Sequence, residues 1–341
     1  MRKIKVALIG TNILSHAMPV FLSVLKQNDI FEFVGYNFPE GEKEKWPERA
    51  KDFEKYTELS LDEIFNDDEI EAVLIETEEK YLTKYALQAA RHNKHIHMEK
   101  PGGTSLSEFE ELIRAVKESK KVFHTGYMYR YNPRIQKLME EIKNGELGEI
   151  ISVEAQMNCR HLPQNRQWLE GFPGGMMFFL GCHLVDLILR IKGEPERIIP
   201  LNKCTGTDGV TSEDFGMAIF EYKNGVSFAK TNAMEVGGFI RRQLVVTGTK
   251  KTVEIKPLEI NIEGGLTATK ETVYDEITNW NCKGKMYETE GFDRYDQMMA
   301  AFAAMVRGEI ENPYDYDYEL LLYKTILKCC GRKENESDTC K

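Results

Sequence analysis

The sequence Ile4-Lys-Val-Ala-Leu-Ile-Gly10-Thr-Asn-Ile-Leu-Ser15 indicates what type of domain the N-terminal part of this chain forms. Its apolar, partly β-branched run predicts a strand that ends at Gly10, and a helical pattern follows around residues 18–25. A strand, a tight turn and a helix in this order can present backbone N–H groups to a phosphate. Of the glycines that a dinucleotide-binding fingerprint has at positions 10, 12 and 15, only Gly10 is present. Taken alone, the motif leaves open an ordinary turn that binds nothing.

The same alternation continues through the first third of the chain. Short apolar runs follow at 31–36, 72–75, 95–97 and 121–124, and helical patterns lie near 81–90 and 105–116. Strands that alternate with helices predict a parallel sheet with right-handed crossovers. We therefore expect residues 1–125 to form an α/β, doubly wound, dinucleotide-binding domain of the Rossmann type.

After about residue 148 the pattern changes to hairpins. Lys223-Asn-Gly225 and Gly248-Thr-Lys-Lys251 each separate two strand-like runs, which predicts a mostly antiparallel, open sheet. One helix is expected near 181–191, and helical patterns return at 295–306 and 318–330. We assign 126–331 to this second, α+β domain and 332–341 to a polar tail.

Composition narrows the class of protein. A length of 341 residues suits two domains, and 42% hydrophobic with 29% charged residues indicates a globular chain. A formal net charge of -10 argues against partners that are nucleic acids or anionic membranes. The first apolar run is too short for a signal segment, and none of the seven cysteines forms a C-x-x-C pair. We expect a reduced, cytoplasmic protein without a metal site.

Chemistry is most strongly indicated at His97-Met-Glu-Lys-Pro-Gly102, which follows a predicted parallel strand. Ligands bind at the carboxyl ends of such strands, and Pro101 favours an extended Lys100. A lysine here can polarise or deprotonate a hydroxyl, although a simple ion pair between Glu99 and Lys100 is the alternative.

A second candidate is His183, which opens the helix near 181–191, three residues before Asp186. This spacing places both side chains on one helical face. Histidine suits proton transfer because it titrates near neutrality, but a lone histidine is often a buried structural residue.

Several motifs together resemble one family. They are Glu99-Lys-Pro101, Gly126-Tyr-Met-Tyr-Arg-Tyr-Asn-Pro133, Gly145-Glu-Leu-Gly148, Gly174-Gly175 and Gly181-Cys-His-Leu-Val-Asp186. In order and spacing, the chain is similar to the family of glucose-fructose oxidoreductase, inositol 2-dehydrogenase and the rhizopine catabolism protein MocA, over roughly residues 1–330. The resemblance implies a second domain like that of dihydrodipicolinate reductase. It also implies that Lys100 and His183 are a catalytic acid–base pair acting with a nicotinamide cofactor.

The expected cofactor is NAD. Asn37 ends the second strand, where an acid usually accepts the ribose hydroxyls, and no arginine follows to hold the 2′-phosphate of NADP. The residues that we expect around the cofactor are Gly10, Thr11, Asn12, Ile13, Leu14, Asn37, Thr77, Glu78, Tyr81, Glu99, Lys100 and Tyr127.

Two departures from the family pattern concern function. The family often has an aspartate four residues before the histidine, where this chain has Phe179. It also often has Thr-Pro-Asn-x-x-His where this chain has Thr77-Glu-Glu-Lys-Tyr-Leu82, and two carboxylates would repel a diphosphate unless they point away.

The substrate is expected to be a small carbohydrate-like molecule. The candidate substrate-binding residues are Arg160, His161, Arg166, Trp168, Phe179 and Asp186; a solvated loop around one buried tryptophan is the alternative for the first four.

Three functions follow from these patterns. The first is NAD-dependent oxidation of a secondary hydroxyl of a sugar, cyclitol or glycoside. The second is glycoside cleavage or elimination with a retained NAD, and the third is a non-catalytic, ligand-sensing protein. We also expect a homodimer or homotetramer built on the second domain's sheet, through an apolar face carrying Val226, Phe228, Leu244 and Val246.

Overall fold

A computed structural model describes residues 2–276 and 280–332 of the chain, which form two compact units. The first unit comprises Met1–Met128 and Tyr295–Tyr323, and the second comprises Tyr129–Arg294 and Lys324–Lys341. The sequence analysis instead placed everything from 126 to 331 in the second domain. Residues 333–341 of the expected tail lie outside the described part.

The first unit alternates strands and helices as expected. Its elements are β1 (Ile4–Ile9), α1 (Ala17–Lys26), β2 (Phe31–Asn37), α2 (Glu42–Lys45), α3 (Pro47–Lys51), α4 (Leu61–Asn66), β3 (Ala72–Ile75), α5 (Glu79–Arg91), β4 (His95–Met98), α6 (Leu106–Ser119), β5 (Phe123–Thr125) and, from later in the chain, α10 (Asp296–Val306) and the first half of α11 (Tyr316–Cys329).

The five strands form a parallel sheet in the order β2-β1-β3-β4-β5. All four residues of β3 are buried, as a strand covered on both faces by helices requires. On the free edge of the sheet, Tyr36 of β2 makes an isolated parallel bridge to Glu58. This bridge stands where the third strand of a 3-2-1-4-5-6 dinucleotide-binding sheet would pair, so that strand is reduced to one residue here.

Side-chain contacts explain why the late helices belong to the first unit. The Tyr323 ring stacks on Phe109 of α6, with ring centroids 4.0 Å apart. Ser23 of α1 donates a 2.7 Å hydrogen bond to Asp296 at the start of α10. Contacts over such sequence separations leave no signature in local periodicity.

The second unit contains the hairpins. Its elements are α7 (Pro133–Lys143), β6 (Ile150–Asn158), α8 (Pro163–Trp168), α9 (Cys182–Lys192), β7 (Arg197–Pro200), β8 (Phe215–Tyr222), β9 (Gly225–Asn232), β10 (Gln243–Gly248), β11 (Thr252–Ile255), β12 (Ile260–Asn261), β13 (Thr267–Ala268), β14 (Lys270–Tyr274), β15 (Lys285–Glu288) and the end of α11.

Eight of these strands form one sheet in the order β15-β14-β11-β10-β6-β9-β8-β7. The β6–β9 pair is parallel and the other pairs are antiparallel. The predicted fold class, a parallel Rossmann sheet followed by a mostly antiparallel sheet with helices, is confirmed. No helix among the described residues is long and apolar enough to cross a membrane.

One detail of the sheet differs from expectation. Leu244 and Val246 are fully buried, whereas Val226 is 52% exposed and Phe228 is half-buried. The first two therefore lie on the covered face of the sheet, because paired residues across neighbouring strands point to the same side. The prediction that all four share the open face is wrong for Leu244 and Val246.

Candidate functional site

The turn after β1 is built around Gly10. Its φ is +87°, and a Cβ at this position would lie 2.6 Å from the Thr77 backbone, so only glycine fits. Its N–H donates a 2.8 Å hydrogen bond to the carbonyl of Asn37. The turn thus joins the carboxyl ends of β1, β2 and β3, the edge at which parallel sheets bind ligands.

Asn12 holds this turn with its side chain. Its amide oxygen accepts from the Leu14 N–H at 3.0 Å, and its amide nitrogen donates to Glu79 at 3.2 Å. Its φ is not positive, so the left-handed tolerance of asparagine plays no part here. The hydrogen bonds of the Asn12 side chain therefore hold the turn in the place of a second glycine, which would do so through its freer backbone.

A residue that the sequence analysis did not single out lies against the turn. The Glu42 carboxylate accepts a 2.6 Å hydrogen bond from the backbone N–H of Thr11 and is 1% exposed. Burial raises the pKa of Glu42 to about 8, against the lowering effect of the Thr11 hydrogen bond. The available signal was an acidic residue shortly after the second strand, hidden in a generally charged segment.

The two glutamates that follow Thr77 are both engaged. Glu78 forms an ion pair of 2.7 Å with Lys45, and Glu79 accepts from the Asn12 amide. Burial raises the pKa of Glu79 to about 7. The expected repulsion of a diphosphate is therefore reduced by pairing and by protonation near neutrality.

The other expected cofactor residues have varied surroundings. Asn37 donates a 2.6 Å hydrogen bond from its side-chain amide to the carbonyl of Leu59. Ile13 is 44% exposed and Tyr127 is 2% exposed. The Tyr81 ring lies under the Lys80 ammonium, 4.7 Å from it.

Lys100 follows β4 and is completely buried among acidic groups. Its ammonium nitrogen lies 3.6 Å from Glu99, which in turn lies 3.2 Å from the ring of His16. Burial alone would raise the pKa of Glu99, but the neighbouring His16 and Lys100 hold it below its usual value. The Lys100–Pro101 peptide bond is cis. The alternative from the sequence, a simple ion pair between Glu99 and Lys100, is present as a contact. This ion pair is buried inside the protein, however, and not on a solvated loop.

A further carboxylate lies behind Lys100. Glu76 is fully buried, and neither of its oxygens has a hydrogen-bond partner among residues 2–276 and 280–332. Burial and the charge of Glu99 raise its pKa well above the usual value. The ring of His97 lies 3.4 Å from Glu76. Lys100 thus lies among several buried acids, and burial raises the pKa of two of them, Glu76 and Glu79.

In the second unit, His183 lies in the first turn of α9. It is 2% exposed, and its ring meets that of Tyr129 edge to face, with centroids 5.2 Å apart. The segment Met177–Gly181, just before this helix, is a π-helix, a feature that is frequent at functional sites. Lys100 and His183 belong to different units, and their shared action remains a prediction.

Two of the expected substrate residues instead form buried ion pairs. Asp186 accepts from the Arg130 guanidinium at 2.8 and 3.1 Å, with both side chains about 1% exposed. Arg166 is fully buried and pairs with Asp214 at 2.9 Å and Asp208 at 2.5 Å. Their charges are paired within the unit, and their contacts with a substrate stay a prediction.

The remaining substrate candidates surround Phe179. Its ring packs edge to face on Trp168, with centroids 5.1 Å apart, and lies 6.5 Å from His161. Burial and nearby arginines lower the pKa of His161, which favours the neutral ring. Arg160 is exposed. The position where the family often has an acid is therefore part of an aromatic cluster.

A polar cluster next to His183 was not predicted from the sequence. Tyr129 donates a 2.6 Å hydrogen bond to Glu259, which also accepts from Arg242 at 3.0 Å and Arg294 at 2.6 Å. The two arginines hold the pKa of Glu259 below its usual value despite burial, and burial raises the pKa of Tyr129 to about 12. Spacing could not reveal this cluster, because its members come from distant segments.

The comparisons with known proteins agree with these two units. Residues 4–127 match the oxidoreductase family with an NAD-binding Rossmann fold, and residues 135–254 match a GFO/IDH/MocA C-terminal domain. The chain belongs to the Gfo/Idh/MocA oxidoreductase family. The resemblance inferred from the sequence motifs is confirmed.

Individual relatives of this family are distant. Trans-1,2-dihydrobenzene-1,2-diol dehydrogenase from Bos taurus is 24% identical over 232 residues, which cover 63% of this chain and 67% of that protein. The NADP(+)-dependent scyllo-inositol 2-dehydrogenase from Bacillus subtilis is 28% identical over 141 residues, covering 40% of this chain and 39% of that one. This chain spans about half the length of most curated relatives that it matches.

A solved structure extends the likeness in fold to both units. It is levoglucosan dehydrogenase in complex with NADH and levoglucosan, with a TM-score of 0.77 and 16% identity over 97% of this chain and 98% of that chain.

The residues on the sheet edge suit the nicotinamide dinucleotide of the family's Rossmann fold. Gly10 lets the backbone approach closely, and the second oxygen of Glu42 is buried without a hydrogen-bond partner among the described residues, as an acceptor for a ligand hydroxyl would be. Within the same residues, no three His, Cys, Asp or Glu side chains are grouped so that they could hold a metal ion.

Proposed function

We propose that the protein is an NAD-dependent oxidoreductase that acts on a secondary hydroxyl of a sugar, a cyclitol or a glycoside. The observation that carries the proposal is the complete burial of Lys100 at the carboxyl end of β4, in an NAD-binding Rossmann domain. A lysine kept out of water among carboxylates is a costly arrangement, which is typical of sites where a proton must be held or moved.

The assigned roles follow from chemistry. NAD supplies the hydride acceptor when it is bound. Lys100 orients and polarises the substrate hydroxyl through its ammonium group, and Glu99 at 3.6 Å fixes the position of that group. His183 accepts the hydroxyl proton, and the Tyr129 ring against it limits the orientations of the imidazole.

His16 connects the buried Glu99–Lys100 pair to solvent. It is 21% exposed at the side chain, and it contacts Glu99, which contacts Lys100. Protons exchanged between Lys100 and solvent can therefore pass through Glu99 and His16 without crossing apolar protein.

The names of the relatives support the substrate class. They include a dehydrogenase of inositol and one of levoglucosan, both polyhydroxylated rings. The aromatic cluster of Trp168 and Phe179 offers an apolar platform suited to such a ring.

The proposal is tested by incubating the protein with NAD and a panel of sugars, cyclitols and glycosides while NADH formation is followed. Formation of NADH together with a keto product supports simple oxidation. A keto intermediate with bond cleavage and no net NADH would instead establish the elimination chemistry, to which the absence of an acid at position 179 draws attention. If no member of the panel reacts and NAD does not bind, the ligand-sensing alternative takes precedence.

We further propose that the protein assembles as a homodimer or homotetramer through the open face of the second unit's sheet. Val226 is 52% exposed there, and Phe228 is only half-buried. Apolar side chains grouped on one face commonly mark an interface between subunits.

A further inference from the structure

The loop after β2 returns the chain to the turn after β1. Glu40 and Gly41 both have left-handed backbone angles, with φ of 59° and 71°. The two consecutive left-handed residues reverse the chain, so that Glu42 begins α2 with its side chain against Thr11. One carboxylate oxygen accepts the Thr11 N–H at 2.6 Å, and the other has no hydrogen-bond partner among the described residues.

This carboxylate is unfavourable in the protein alone. A buried oxygen that can only accept, and that lacks a donor, loses its hydration without compensation. Glu78, before α5, and Glu40, on the same loop, add negative charge, while Lys45 of α2 offsets part of it. Burial consequently raises the pKa of Glu42 to about 8. A residue kept only to brace the turn could be a glutamine. A buried carboxyl group whose second oxygen has no partner among the described residues points instead to a ligand that donates a hydrogen bond to it.

The position of Glu42 identifies the part of the ligand that it meets. In dinucleotide-binding folds an acid after the second strand accepts the hydroxyl groups of the adenosine ribose. In this chain Asn37 has that sequence position, but its side-chain amide is bound to the carbonyl of Leu59. Glu42 follows the loop after β2, and its carboxylate binds the backbone of Thr11, the residue after Gly10. A bound dinucleotide would approach the backbone at this turn.

We propose that Glu42 is the acid that recognises the adenosine ribose in this protein. Its carboxylate accepts a hydrogen bond from the 2′-hydroxyl of NAD and excludes the 2′-phosphate of NADP. This inference rests on the proposed use of a nicotinamide dinucleotide, and it assigns the selectivity for NAD to Glu42 rather than to Asn37.

The charges around Glu42 explain the exclusion of NADP. A 2′-phosphate would face the Glu42 carboxylate, with Glu78 close by. Two lysines of this region are engaged: Lys45 pairs with Glu78 at 2.7 Å, and Lys84 pairs with Glu40 at 2.5 Å. Binding of NADP therefore requires either breaking an ion pair or placing two anions together.

A rival interpretation has the opposite consequence. If Glu42 occupied the position of the diphosphate itself, it would compete with every dinucleotide, and removing its charge would strengthen NAD binding. A ribose acceptor predicts weaker NAD binding after the same change. The sign of one affinity change therefore separates the two.

The test is the Glu42→Gln variant, with Glu44→Gln as the matched control on the exposed side of the same short helix. Dissociation constants for NAD and for NADP are measured by calorimetry, and folding is checked by circular dichroism. We expect Glu42→Gln to weaken NAD binding about tenfold, as the loss of a charge-assisted hydrogen bond does. NADP binding should be unchanged or tighter, and the control should match the wild type.

Each other outcome counts against the inference. Tighter NAD binding in Glu42→Gln would establish the competing-anion interpretation, and unchanged selectivity or equal loss of both cofactors in the folded variant would remove Glu42 from ribose recognition. If the wild type bound NAD but its selectivity did not depend on Glu42, the proposed function would stand. If the wild type bound neither cofactor, the proposed function would fail first and this inference with it.

A second readout follows from proton linkage. A donating ribose hydroxyl stabilises the ionised carboxylate, so NAD binding below pH about 8 should release a proton from Glu42. The groups that share this environment are Glu40, Glu78, Lys45 and Tyr85. Calorimetry in two buffers of different ionisation enthalpy should show the release in the wild type and its loss in Glu42→Gln. Proton uptake on binding would overturn the assignment.

Discussion

Lys100 is a buried basic residue whose neighbours are acids. Glu99 lies 3.6 Å from its ammonium nitrogen, and Glu76 and Glu79 are fully buried nearby. Since Glu76 and Glu79 have raised pKa values, they can take up protons if the ammonium group is removed, which limits the structural damage of a substitution. Activity is thus more sensitive to Lys100 than folding is.

We expect Lys100→Met to lower kcat about 10²-fold or more, because a positioned acid–base group contributes a factor of this size. Thermal stability and NAD affinity should change far less. Lys117→Met, an exposed lysine of α6 in the same unit, is the control. His183→Asn should lower kcat similarly and flatten its pH profile near neutrality. Full activity of both variants on the true substrate would end the assignment.

The stability of the free protein should depend on Glu42 in a pH-dependent way. In the unfolded chain this carboxyl ionises near 4.5, whereas burial raises its pKa in the folded protein to about 8. The unfolded state therefore releases a proton first, and the stabilisation present below pH 4.5 is lost as the pH rises towards 8.

The variant Glu42→Gln removes this loss. Without cofactor, it should melt several degrees above the wild type at pH 8.5, on the order of 2–4 °C for each kcal/mol recovered, and close to the wild type at pH 4.5. Calorimetric scans at both pH values measure this. An equal difference at the two values would mean that the charge of Glu42 is not responsible.

At the scale of elements, the start of α9 is anchored by one ion pair. Arg130 lies in the short 3-10 segment Met128–Tyr131, and its guanidinium binds Asp186 of α9. The same segment carries Tyr129, whose ring contacts His183. The pair therefore fixes the position of His183 through two neighbouring elements.

We expect Asp186→Asn to destabilise the protein by about 3–5 kcal/mol, since it leaves the Arg130 charge buried without its counter-ion. Activity should fall as well, because the contact of Tyr129 with His183 loosens. Asp208→Asn is the control: Asp208 is 46% exposed and pairs with a buried arginine that keeps Asp214. Urea unfolding of the two variants compares the effects, and equal losses would contradict the assigned role of the Arg130–Asp186 pair.

Local pattern predicted the elements well and their long-range contacts poorly. The strand starting at Ile4 and the hairpin at Lys223-Asn-Gly225 follow from period and turn chemistry, and both are present. The ion pair of Arg166 was not predicted because its partner Asp214 is distant in sequence. Glu42 was missed because only the reversal at Glu40 and Gly41 brings it to Thr11.

In the second unit, helix α9 leaves one face of the large sheet uncovered. Ile219, Phe228, Glu154 and Val245 pair across four neighbouring strands, and each is half-buried. Paired residues point to the same side of a sheet, so these side chains form a continuous row. Three of the four are apolar, and an apolar row of this kind is stabilised when a second copy covers it.

We expect the wild type to be a dimer or tetramer in solution and Phe228→Glu to be a monomer, because the new carboxylate would lie directly across from Glu154 and the assembly would bury two like charges together. Phe228 is not in the covered core of its own subunit, so the variant should still fold. Ile310→Glu changes an apolar residue that is 47% exposed in the first unit, and it should leave the assembly intact. Light scattering coupled to size exclusion measures all three proteins over a range of concentrations. A wild type that is monomeric throughout, or a Phe228→Glu variant that keeps the wild-type mass, would show that this face of the sheet is not the interface.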